Sequence, residues 1–251
     1  MSARLPQRGD QSFRIDLNPM TDSQAPPSLP PLLQPISASL SAQYPQDPKS
    51  VRQLQTDALK AHADARTHLT EFGTRLQQLG GRTGTSPQQR PGGVKGLERY
   101  VEKYLEYDVI PLDILAAKLV FLTLPAVYRA AEQLGTVFTV VAFLDRFLKP
   151  RESGYRDLQV VVDLGGHLAE VKLCHQMFDD LDVHEHKLFE MRRSLEAKSP
   201  LSEIEVLVLD KLDSVSAQLF QGVWERVLRE EVEDDTVLPG RGSASGNDSP
   251  S

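Results

Sequence analysis

Two acidic residues, a row of cations and one tyrosine are the parts of this sequence whose types and spacing could do chemistry. They lie in four segments: GGVKGLERYVEK, PLDILAAKLV, DRFLKPRESGYRDL and GHLAEVKL. Each sets an acid, base or aromatic residue at the edge of an apolar run, where a polar side chain can face a cleft. Asp113 opens PLDILAAKLV, where a carboxylate serves either as a helix cap or as the hard oxygen ligand that Mg²⁺ requires. Glu170 stands in a strand-like run between Leu168 and Val171, as a solvent-facing charge or as a second ligand. Two carboxylates on neighbouring strands could together hold Mg²⁺ between substrate phosphates. Around them lie Lys95, Arg99, Lys103, Lys118, Arg146, Lys149, Arg151 and Arg156. Cations converging on one cleft suit a polyphosphate, because phosphoryl transfer depends chiefly on positioning and charge neutralisation. Tyr155 follows Gly154, which lets the backbone turn. It reads as a surface tyrosine or as an exposed ring free to stack on a base.

Other chemistries find no motif. There is no G-x-S-x-G, G-x-G-x-x-G or H-E-x-x-H, and the glycine spacing near residue 90 fails the Walker A pattern. Cys174 has His175 beside it, but adjacent residues on a helix point apart, which argues against a thiolate and imidazole pair. His184 and His186 flank Glu185 in surroundings that look helical, where exposed or hydrogen-bonded histidines are the favoured reading over a metal pair. A single cysteine excludes an internal disulfide framework and a multi-cysteine zinc site.

The elements that must position these residues follow from periodicity. Residues 51 to 79 carry Val51, Leu54, Ala58, Leu59, Leu69, Phe72, Leu76 and Leu79 at helical spacing, and Gly80 and Gly81 are expected to end that helix. Residues 80 to 96 hold six glycines with Arg82, Arg90 and Lys95, which suggests a mobile basic loop. A helix is expected over 97 to 105, then four strand-like runs at 118 to 123, 137 to 145, 158 to 164 and 168 to 173. A helical stretch separates the first two, and Gly165 and Gly166 turn a hairpin between the last two. Residues 174 to 195 read as helical. Ser199 and Pro200 make an N-cap and N1 pair for a long amphipathic helix through Ile204, Val208, Leu212, Val215, Leu219 and Val223. Strands with helices before, between and after them predict an α+β domain, a mixed β-sheet flanked by helices.

Composition bounds the rest. The 251 residues suffice for one large domain or two small ones. The first 50 residues carry nine prolines, eight serines and six glutamines, a composition that resists helix and sheet, so they are expected to be a disordered leader. PPSLPPLLQP could serve as a polyproline ligand, a solvated leader being the favoured reading. Most of the net charge of −7 sits in residues 230 to 251, where six acids face Arg241 alone; residues 232 to 251 are expected to be a disordered acidic tail. The near-neutral remainder gives no bulk electrostatic argument for or against nucleic acid. The longest apolar stretch, ILAAKLVFLTLPAVY, is interrupted by Lys118 and Pro125, and the N-terminus lacks the apolar region of a Sec-type signal, so a soluble, cytoplasmic protein without membrane contact is expected.

Taken in order, the four segments resemble the synthetase domain of the RelA/SpoT family, which transfers pyrophosphate from ATP to the 3′-hydroxyl of a guanine nucleotide. SGYRDL followed by AEVKL carries most of the likeness: in the family the tyrosine of G-Y-R stacks on the acceptor base, and a glutamate fifteen residues later is catalytic, a spacing that Tyr155 and Glu170 keep. Val94-Lys95, Lys103, Asp113-Ile114 and Lys118 match the family's R-V-K element, its downstream lysine and its D-I-x-x-x-R strand entry, whose aspartate binds Mg²⁺. Gly93 replaces the first arginine of R-V-K, Lys118 an arginine, Gln159 a frequent histidine and Lys172 the glutamine of E-x-Q, so nucleotide specificity is open.

The resemblance implies a RelA/SpoT-like domain of nucleotidyltransferase type over residues 95 to 231, preceded by a helix and basic loop over 51 to 94. It implies catalysis by Glu170 and Asp113 with Mg²⁺ as cofactor. Nucleotide binding falls to Tyr155, Arg156, Lys95, Lys103, Lys118, Arg146, Lys149, Arg151 and Lys172. The partners implied are ATP and an acceptor, GDP or GTP first, with an adenine nucleotide or the 3′ end of tRNA as alternatives, and a homo-oligomer is possible. A nucleotide- or partner-binding module without transfer, and a structural domain dimerising through its last helix, are the competing readings.

Overall fold

Apolar residues at alternate positions, most regular in the strand over Leu115–Phe121, bury one face of the pleat, and five strands pair into a single mixed sheet. The computed structural model describes residues 28 to 198 and 200 to 237. Its strands are β1 (Gln88–Val94), β2 (Leu115–Phe121), β3 (Thr139–Asp145), β4 (Leu158–Asp163) and β5 (Leu168–His175), in the order β1-β2-β5-β4-β3. β2 and β5 run parallel, and every other neighbouring pair is antiparallel. Along β2, Leu115, Ala117, Leu119 and Phe121 are buried, whereas Ala116, Lys118 and Val120 are half-buried. This alternation divides the sheet into a core face and a polar face.

The core face is covered by helices α1 (Gln34–Gln43), α2 (Ala58–Thr83) and α4 (Leu124–Leu134), which bring Leu40, Phe72, Leu76, Leu79, Val127 and Leu134 into one apolar cluster with the strands. Helix α3 (Leu97–Tyr107) links β1 to β2. Over the polar face, α5 (Gln176–Glu196) packs against β5 and β2, and α6 (Glu203–Val237) pairs with α5. Phe220 and Trp224 of α6 join Phe147 and Phe178 in an aromatic cluster. The strap of residues 51 to 53 covers the end of this face opposite α5. Val51 packs with Ala142, Val161 and Leu168, and the Gln53 amide exchanges two hydrogen bonds with the Leu168 backbone, at 2.7 and 3.0 Å. Among the described residues no helix is long and apolar enough to cross a membrane.

Several expectations are corrected. Residues 28 to 50, expected within a disordered leader, hold α1 and a 3-10 turn at Pro48–Ser50; Leu29, Leu33 and Leu40 are buried in the main core, and Ser37 Oγ donates to Asp145 at 2.5 Å. Proline content misled here because Pro35 falls in the first turn of α1, where its missing N–H costs nothing. α2 begins at Ala58, capped by Asp57, and runs through Gly80 and Gly81 to Thr83; Gly84, at φ 72°, closes it. The expected basic loop contains β1, a fifth strand, so a boundary at residue 94 or 95 falls inside the sheet.

Ser199 lies outside the described residues, and α6 is capped instead by Ser202. The Ser202 hydroxyl accepts from the Glu205 N–H, while the Glu205 carboxylate accepts from the Ser202 N–H at 3.0 Å, a reciprocal capping box. α6 also continues to Val237, into the stretch expected to be a disordered tail. Residues 1 to 27 of the leader and 238 to 251 of the tail lie outside the described residues.

Candidate active site

A carboxylate taken out of water needs compensating charge, and Asp113 has three cations around it. It sits in a 3-10 turn, Leu112–Ile114, directly before β2. The Lys95 N–H donates to the Ile114 carbonyl at 2.9 Å, and this backbone tie delivers Lys95 Nζ to Asp113 Oδ2 at 2.6 Å. Lys103 of α3 reaches Oδ1 at 3.1 Å, and Arg90 of β1 approaches Oδ2 at 3.5 Å. Burial alone would raise the Asp113 pKa; Lys103 and Lys95 outweigh it and hold the carboxyl well below the usual carboxylate range. Burial lowers the Lys95 pKa despite its partner. Gly93, where the family pattern has arginine, adopts φ 76°, and a Cβ there would meet the Leu69 methyls at 2.5 Å, so any other residue would be strained in backbone and would have to displace Leu69. Arg90 is the third cation beside Asp113.

Glu170 lies on the polar face of β5, beside Ala116 of β2 and Val161 of β4. Its position is three residues beyond Asp113 in the β2 register, so both carboxylates occupy one end of the parallel pair. The next row across this face is Lys118, Lys172 and Gln159 on β2, β5 and β4. Gln159 Nε2 donates to Glu170 Oε2, and Lys172 Nζ stands 3.8 Å from Oε1. Burial opposes the Lys172 charge, but Glu170 and Asp157 overcome it and raise the pKa. Lys118 pairs with Asp179, from the first turn of α5. Asp182, one turn on, interacts with Lys172 and Lys118, and burial raises its pKa. A polar row thus runs across three strands with acids of α5 above it.

Other expected nucleotide contacts stand elsewhere. Tyr155 was expected as an exposed ring; it is only 6% exposed, edge-on to Phe220 at 5.6 Å, with Arg151 5.5 Å and Lys172 6.0 Å from its centroid. Gly154, at φ 84°, does turn the chain, but the turn packs against Phe220 and carries the ring inward. Arg156 is also buried: it donates to the Phe147 carbonyl and lies 4.5 Å over Trp224, and burial lowers its pKa to about 10. It is a core residue, held by Phe147 and Trp224.

Arg146 is buried with Asp157 at 2.9 Å and donates to Gln159, so it reaches the row through another side chain. Lys149 and Arg151 are exposed on the loop between β3 and β4, and Arg99 pairs with Glu102 and Glu190 away from the Asp113 cage. Cys174 is buried against Tyr155, burial pushes its thiol up, and His175 caps α5, which leaves no nucleophile pair. His184 and His186 are exposed on α5.

Sequence reading missed Arg90, Asp157 and Asp179 as parts of this face. Arg90 sat in a glycine-rich stretch read as loop. The contact from Asp179 to Lys118 spans 61 residues and leaves no local signal.

Mg²⁺ fits the donor chemistry, since one or two carboxylates with phosphate oxygens and water are its usual ligands. Asp113 and Glu170 are hard oxygen donors, and each carboxylate keeps lone pairs beyond those its present partners use. No group of three or more acidic, histidine or cysteine side chains able to hold a metal exists among the described residues, so phosphate oxygens and water would have to complete such a shell.

No family profile and no curated protein matches the chain. Solved structures do. The chain is similar to small alarmone synthetase 1 from Bacillus subtilis bound to its product pppGpp, at 19% identity over 68% of this chain and 95% of that one, with a TM-score of 0.46. It is similar to a GTP pyrophosphokinase family protein from Streptococcus pneumoniae, at 17% identity over 74% and 100%, TM-score 0.49. It is also similar to the complex between the Type VI effector Tas1 and its immunity protein, at 15% identity over 69% and 99%, TM-score 0.47.

Proposed function

We propose that this chain is a nucleotide pyrophosphokinase of the RelA/SpoT synthetase kind, acting in the cytoplasm. It moves the terminal pyrophosphate of ATP to the 3′-hydroxyl of a guanine nucleotide or a related acceptor. The observation that carries this reading is the company kept by two carboxylates at one end of β2 and β5: Asp113 caged by Lys95, Lys103 and Arg90, and Glu170 in a row with Gln159, Lys172 and Lys118. Cations in excess of the acids they pair with suit a triphosphate, and a carboxylate among them suits a base.

In the transfer, Glu170 accepts the proton of the acceptor 3′-hydroxyl as that oxygen bonds to the β-phosphorus of ATP. The bond from the β-phosphorus to the oxygen bridging to the α-phosphate breaks, AMP leaves with that oxygen, and Glu170 returns its proton to solvent. Mg²⁺ bound by Asp113 and Glu170 together with phosphate oxygens would neutralise charge on the group in transfer. Lys95, Lys103 and Lys118 bind phosphate oxygens in exchange for their present acidic partners, and Lys172 stays beside the base.

A second reading, a nucleotide-binding module without transfer, is favoured by one observation: Asp113 and Lys118 are already satisfied within the chain. One experiment separates the two. Labelled ATP and Mg²⁺ are offered with GTP, GDP, ATP or deacylated tRNA in parallel, and AMP release and acceptor labelling are read. Transfer is expected with at least one acceptor. Glu170→Gln, which keeps shape and removes basicity, should abolish transfer while leaving nucleotide binding largely intact. Binding without AMP release for every acceptor, in folded protein, would select the module.

A further inference from the structure

A base that shares its carboxylate with other groups needs one oxygen held and the other free. We infer that Gln159 is the positioning residue of Glu170, itself held by the buried ion pair of Arg146 and Asp157, and that it reserves Oε1 for the acceptor hydroxyl. The inference rests on the reading of Glu170 as the base.

The chain of contacts fixes the direction of every hydrogen bond. Arg146 only donates and an ionised carboxylate only accepts, so the Gln159 side chain between them has one permitted orientation. Its carbonyl takes the guanidinium N–H, and its NH₂ gives to Glu170 Oε2. The flipped amide would set NH₂ against guanidinium and oxygen against carboxylate. Gln159 is opposite Lys172 and Glu170 opposite Val161 across β4 and β5, a diagonal pair that long side chains bridge.

The far end of the chain is rigid. Arg146 is 6% exposed; its backbone N–H donates to the Asp157 carbonyl and its guanidinium to the Asp157 carboxylate, each at 2.9 Å. Neighbouring Asp145 accepts from the Phe147 and Leu148 N–H groups on one oxygen and from Ser37 and Tyr128 on the other, which pins the turn that carries Arg146. Glu170 Oε1, with Lys172 at 3.8 Å, has no such tether. Loss of the Gln159 bond therefore frees the carboxylate to rotate towards Lys172 without removing any group that touches nucleotide, and the effect belongs in turnover, not in affinity.

The test is a series at Gln159 with the full chain. Gln159→Leu should lower kcat by about 10- to 100-fold with KM for both nucleotides changed less than about threefold, the pattern of a lost supporting contact. Gln159→Glu, which loses the donor, should be as poor. Gln159→His, whose ring offers one N–H and one acceptor nitrogen, should recover most of the rate. Thermal melting checks that each variant is folded. An unchanged kcat in Gln159→Leu, or a loss confined to KM, overturns the inference. A second readout stands apart from activity: the side-chain amide proton of Gln159 that faces Glu170 should resonate downfield in the NMR spectrum and move upfield in Glu170→Ala. If the wild type transfers to no acceptor, the proposed function fails, and the amide still decides whether Gln159 holds the carboxylate. A resonance indifferent to Glu170→Ala overturns the inference in that case too.

Discussion

Asp179 poses the residue-scale question of what a phosphate would have to displace under the proposed function. It pairs with Lys118 in the polar row, and Asp182 adds negative charge a turn later. An anion entering this face competes with Asp179 for the lysine, so Asp179→Asn should tighten ATP binding by roughly three- to tenfold at low salt, an advantage that shrinks as ionic strength rises. Calorimetric titration at two salt concentrations measures it, and weaker binding in the variant would mean that Asp179 orients the lysine instead. At this scale the sequence was legible where chemistry is local: Asp113 with Lys95 and Lys103 was expected from residue type and motif, and they meet. It was illegible where burial decides. Tyr155 and Arg156 stand in the same motif as any exposed pair, and only Phe220 and Trp224, more than sixty residues on, show that both turn inward.

Elements, in contrast, were read well wherever period was strong. β2, β3, β4, β5 and α4 lie near their expected places because alternation and i, i+4 spacing report directly on a buried face. β1 escaped because its residues, QQRPGGV, carry no alternation; its place is earned by pairing with β2. The start of α6 escaped by three residues because two serines competed for the cap. Because Ser202 is the cap, Ser202→Ala should cost about 1 kcal/mol of stability, by urea denaturation. The N-terminal segment gives a second element-scale expectation. Leu33 is buried in the core and its neighbour Leu32 is 76% exposed. Leu33→Ala should therefore cost about 2 to 4 kcal/mol, whereas Leu32→Ala should stay within about 0.5 kcal/mol. Equal, small effects would mean that α1 is not part of the cooperative unit.

For the molecule as a whole, acid is the informative variable. His167 is buried at the β4–β5 turn, stacked on His68 at 5.4 Å; its Nε2 has no hydrogen-bond partner among the described residues, and burial with the His68 repulsion lowers its pKa to about 4. An unfolded histidine titrates near 6.5. Between these values the unfolded chain binds the extra proton, so stability is full above about pH 6.5 and falls as pH drops towards 4, by on the order of 3 kcal/mol. His167→Asn should flatten that part of the curve, as read by urea midpoints at several pH values, while Asp113 governs only the more acidic end. The strand order has a different consequence, in time. β2 lies between β1 and β5, and its parallel partner is the last of the described strands along the chain. A growing chain therefore cannot complete its sheet until residue 175 has left the ribosome, and β2 waits through some fifty residues of synthesis with one side unpaired. The strand that ends this wait is the one bearing Glu170, so a chain stopped before it lacks both the closing strand of the sheet and that carboxylate, and a chaperone would find β2 uncovered for all of that interval.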